Sequence, residues 1–174
     1  MKFLFGICVG VILTGAAVGA YFVLGYAPVA VADKPMPFES FIADRAVDAH
    51  IERQPQPSSP LAVSEANLVS GAYLYGMNCA GCHGLPGKPK GAMASAMFPP
   101  PPQFFAGHGG HGDHPLGETY WKVANGIRLT GMPSFQGILT ETQMWQVSQV
   151  VGNANVLPDA AKAALASTDS GASK

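Results

Sequence analysis

Cys79-Ala80-Gly81-Cys82-His83 is the densest group of chemically capable residues in this chain. On a helical turn, residues i and i+3 are neighbours, so both sulfurs face one side. Two cysteines at this spacing followed by a histidine form the pattern of covalent haem attachment. The thiols bond the two vinyl groups, and the next residue, His83, projects toward the iron. Small residues at Ala80 and Gly81 let the backbone approach the porphyrin edge. Other uses of the pair fit less well. A redox C-x-x-C belongs in a βαβ context, which the pattern lacks. A structural zinc site needs a second ligand pair, and the remaining cysteine, Cys8, lies in an apolar N-terminal run. A Cys79–Cys82 disulfide stays open, but it leaves the adjacent His83 without a role.

The elements that must position this group read as helices. Ser64 can cap a helix running through Leu68, Ala72 and Tyr75. Leu116 to Asn125 has Tyr120, Val123 and Ala124 on one side and Gly126 just past its end. Thr140-Glu141-Thr142-Gln143 suits a capping box that opens a third helix with Met144, Val147, Val150 and Val151. No stretch alternates as a strand would, so the fold class is all-α. Three short helices and a loop from Gly84 to Pro115 make a meagre core for residues 64–157. A large apolar cofactor would complete it. The Ala/Ser-rich tail, 158–174, has no large apolar residue except Leu165 and is expected to be disordered.

Around these residues the sequence resembles the class I cytochromes c, in particular bacterial single-haem, membrane-anchored forms. The resemblance covers about residues 64–157. It is carried by Gly71, Tyr75, the Cys79–Gly84 block, Asn125-Gly126-Ile127, Gly131-Met132-Pro133-Ser134-Phe135 and Trp145. It implies a class I cytochrome c fold around one covalent haem c, its first and last helices (64–80 and 140–152) crossing near Gly71. It implies Met132 as the sixth iron ligand, opposite His83. It also implies that Pro102, ahead of Gln103-Phe104, presents a carbonyl to the His83 ring, although four consecutive prolines leave the register open. Met93, Met97, His108, His111 and His114 lie in the long loop and compete for the sixth position. Trp121 and Arg128 are candidates for the haem propionates, or for core and surface packing. With both axial positions filled, the implied role is one-electron transfer and not catalysis. The alternative is a haem-based ligand-binding protein or enzyme with a labile sixth ligand.

The 174 residues are 48% hydrophobic and 12% charged, with ten Lys+Arg against eleven Asp+Glu. With no basic block, nucleic acid is excluded as a partner. No charge occurs from Phe3 to Ala32. Phe3 to Leu24 would make a helix about 33 Å long, enough to cross a hydrocarbon core of roughly 30 Å. Aromatic residues gather at its two ends, and Lys2 precedes it. Residues 1–32 are therefore expected to be an uncleaved single-pass anchor in a bacterial inner membrane, with the haem domain on the periplasmic side. The rival is a signal peptide cleaved after Ala30-Val31-Ala32. The Gly6/Gly10 and Gly15/Gly19 spacings suit docking of the anchor in a larger membrane complex. Residues 33–63 read as a Pro-rich tether, with helical spacing from Phe38 to Arg53. Within 64–157, Lys88, Lys90, Lys122 and Arg128 balance Glu65, Asp113, Glu118 and Glu141. That balance favours a fixed redox partner, such as an integral membrane respiratory complex, over a diffusing shuttle. The His108, His111, Asp113 and His114 run has ligands for copper, zinc or nickel, or is a solvent loop. No nucleophile–base pair or paired carboxylates point to hydrolysis.

Overall fold

A computed structural model describes residues 2–106 and 115–169. All its regular elements among the described residues are helices, as the absence of alternating segments requires. The chain forms two compact units, one ending at Ile42 and the other beginning at Ala43. The first contains α1 (Lys2–Val23), which buries none of its residues. Among the described residues it is the one helix long and apolar enough to cross a membrane. Helix α2 (Glu39–Glu52) begins in this unit and ends in the next.

The second unit is built on α3 (Glu65–Asn78). The Ser64 hydroxyl accepts the Asn67 N–H and so caps the helix start. Leu68, Ala72 and Tyr75 line its buried face. Two glycines let other helices touch its backbone. A β-carbon on Gly71 would strike the carbonyl of Gln146, in α7 (Glu141–Gly152). One on Gly76 would strike the side chain of Thr168, in α8 (Asp159–Asp169). Helix α7 opens on the expected capping box, with Thr140 and Gln143 each bonding the other's backbone. It buries Met144, Trp145, Val147, Val150 and Val151. Helix α6 (Leu116–Asn125) packs on it, the Tyr120 ring stacked 4.0 Å from that of Trp145. Two single-turn helices, α4 (Ala80–His83) and α5 (Ala92–Ser95), lie between α3 and α6 in the chain.

The structure corrects two expectations. The tail is helical, not disordered, over residues 159–169. Ala161 and Leu165, four apart, are fully buried, and Leu165 does the work expected of a longer apolar stripe because Ala-rich α8 packs closely on α3. Part of the core that seemed missing is therefore protein. The second half of the tether is not free either. Ile51 is buried, the His50 ring meets Trp121 edge-on at 5.5 Å, and Gln149 Nε2 donates to Leu61 O at 3.0 Å. Proline-rich chain has unpaired carbonyls to offer, and a buried glutamine has donors that need them.

Candidate haem-binding site

Helix α3 hands the chain directly to α4, so Cys79 is both the end of one and the start of the other. The Cys79 carbonyl accepts the N–H groups of Cys82 and His83, closing the turn that carries all three side chains. Both cysteines are free thiols and half-buried. Burial, with Cys82 beside it, pushes the Cys79 thiol up to about 12, so it stays neutral.

Residues 101–104 brace this turn from outside. A carbonyl can only accept, so the 2.9 Å contact of His83 Nδ1 with Pro102 O places the ring proton on Nδ1. Nε2 then carries the lone pair that a metal requires. The last of the four prolines supplies the carbonyl. Gln103 Nε2 donates to Cys82 O at 2.8 Å and to Pro101 O at 3.1 Å, tying the two segments together. The Phe104 ring stacks on the His83 ring at 4.7 Å with 16° between planes. From α3, Tyr75 Oη donates to Gly84 O at 2.9 Å. Burial and the two neighbouring cysteines push the phenol up, which keeps it a donor.

Met132 stands on a separate loop, 126–135, and is half-buried against the core. Thr130 Oγ1 donates to Ile127 O at 2.7 Å and accepts from Met132 N at 3.1 Å, and Ile127 N donates to Met132 O. Gly126 closes the loop at φ +66°, where a β-carbon would lie 2.6 Å from Pro133 C and 2.8 Å from Met132 O. Ser134 Oγ to Ala124 O at 2.6 Å and Phe135 N to Val123 O at 3.1 Å fasten its end to α6.

A comparison with protein families matches residues 66–149 to the family described as Cytochrome C oxidase, cbb3-type, subunit III. These residues are a class I c-type cytochrome domain. Comparisons with curated proteins and with solved structures gave no match. The matched span runs from α3 into α7 and takes in the Cys79–His83 turn, the proline run and the Met132 loop. A cytochrome c domain binds haem and transfers electrons.

The residues present in the cytochrome domain suit that group. They offer two free thiols on one turn, an imidazole with its tautomer fixed, and the thioether of Met132. Leu85, Phe104 and Phe105 add half-buried apolar surface beside them. Trp121 packs on His50, and Arg128 is exposed. His108, His111 and His114 lie outside the described residues. Tyr75, Gln103 and Phe104 brace the turn, and none was singled out for that task from sequence. Gln103 and Phe104 directly follow the proline run, so their adjacency to Pro102 was the available signal.

Proposed function

We propose that this chain is a membrane-anchored, single-haem electron carrier serving a membrane respiratory oxidase complex, as a subunit or tethered partner. Haem c would be held by thioethers to Cys79 and Cys82, with His83 and Met132 as axial ligands. When bound, it supplies a one-electron Fe(II)/Fe(III) couple. The observation that carries this reading is the His83 Nδ1 to Pro102 O bond beside two free thiols. Pro102 fixes the tautomer and raises the basicity of the opposite ring nitrogen. Phe104 fixes the plane of the imidazole. His83 and Met132 together would leave no open position for oxygen, and a His/Met pair favours a raised potential.

The anchor, the partner and the location belong to the same proposal. Helix α1 has the length and composition of a single span, with residues 1–32 as the anchor and the haem domain on the periplasmic face of a bacterial inner membrane. The haem domain extends from 64 through α8 at 169, with the chain from Ile51 to Leu61 docked on it. The matched family's description points to an oxidase as the partner.

Gentle detergent purification, followed by identification of the co-purifying proteins and a reduced-minus-oxidised spectrum, tests this reading. Terminal-oxidase subunits and a reversible six-coordinate haem c spectrum are expected. Rapid binding of carbon monoxide by the reduced protein would instead favour a ligand-binding or enzymatic haem.

A further inference from the structure

Two methionines near α5 are not used by the function above, and each touches a different side of the site. Met93 Sδ lies 3.9 Å from Cys82 Sγ. Met97, just past the end of α5, lies against Gly131: its terminal methyl occupies the place a β-carbon would take there. Met97 Sδ is 3.7 Å from that same position. Gly131 is the residue before Met132, so the two thioethers belong to segments in direct contact.

We propose that Met97 is a reserve axial ligand, a second thioether that takes the sixth iron position when Met132 leaves it. The proposal rests on Met132 being the resting ligand. Three observations carry it. Met97 offers the same donor atom on an unbranched chain whose rotatable bonds let the sulfur swing. Its place against the backbone exists because Gly131 has no side chain. Among the described residues, the loop bearing Met132 bonds the Met132 backbone only to its own residues, Ile127 and Thr130, so movement of Met132 breaks no long-range hydrogen bond there. Met93 is a weaker candidate, because its sulfur faces Cys82 and it is 66% exposed.

The test uses the full-length chain in detergent and the variants Met97→Leu, Met132→Ala, the double variant, and Gly131→Ala combined with Met132→Ala. Visible spectra, reduction potential and carbon monoxide binding to the reduced form are measured. Met97→Leu should keep the low-spin spectrum and potential of the parent. Met132→Ala should stay low-spin with a changed potential, and should bind carbon monoxide about tenfold more slowly than the double variant, the factor given by roughly 1.4 kcal/mol of barrier. The double variant should be high-spin. The Gly131→Ala combination should differ in potential from Met132→Ala alone, because the new β-carbon shifts the flexible end of Met97. If Met132→Ala alone is high-spin and as fast as the double variant, the reserve ligand is overturned while Met132 stands as ligand. If both Met132→Ala and the double variant keep the parent spectrum and potential, Met132 was never the ligand, and both readings fall.

Discussion

The Cys79–Gly84 turn and the Met132 loop stand in contrast. The turn at 79–84 receives hydrogen bonds from Tyr75 and Gln103, donates one to Pro102 from His83, and carries a ring stacked on Phe104. Those partners come from a helix before it and a segment some twenty residues after it. The loop at 126–135 is bonded mainly to itself, with α6 fastening its end. Its tip residue, Leu129, is 94% exposed at φ 62°, a left-handed conformation that costs a non-glycine residue about 1–2 kcal/mol. The difference teaches where exchange can occur. A ligand whose orientation depends on distant segments moves only if the domain opens, whereas one on a self-contained loop can move alone.

The largest effect should come from removing the turn's chemistry. The Cys79→Ser/Cys82→Ser pair should abolish haem that survives a denaturing gel, read by haem staining, and lower helical content by circular dichroism. Gly71→Ala attacks the frame that both regions share. Its β-carbon meets the backbone of Gln146, which cannot rotate aside, so a loss of about 2–3 kcal/mol in urea unfolding is expected. If only one region suffers, the shared frame is wrong.

Two smaller changes should separate the regions. Gln103→Ala removes the bonds to Cys82 O and Pro101 O, costing about 1–2 kcal/mol. It should move the reduction potential without admitting carbon monoxide. Ser134→Ala removes the bond to Ala124 O at about 1 kcal/mol, and should speed carbon monoxide binding instead. Identical phenotypes would erase the contrast. Smallest of all, Lys88→Met breaks an exposed ion pair with Asp169 and should leave the thermal melting temperature unmoved, since screened surface pairs contribute little.

Helices α3, α6 and α7 were readable because each combines an apolar stripe with an end signal: Ser64, Gly126 and the Thr140–Gln143 box. Helix α8 was hidden, because its buried face is made of Ala161 and Leu165. Small residues pack closely without leaving a large-residue pattern. The docking of Leu61 on Gln149 joins positions 88 apart and leaves no local trace. Cys79, Cys82 and His83 were legible as a motif. Their braces were not, since Tyr75 reads as core and Gln103 as loop until the fold brings them to Gly84 and Cys82.

The two glycine faces of α3 also set an order of events in time. Gly71 and Gly76 close against α7 and α8, the last helices of the described chain to be synthesised. The core around Cys79 therefore cannot shut until α7 and α8 have been made, because contacts this distant in sequence form late. Until then the two thiols stay open. The covalent attachment proposed for them would then precede burial, and the finished fold would shield the new bonds.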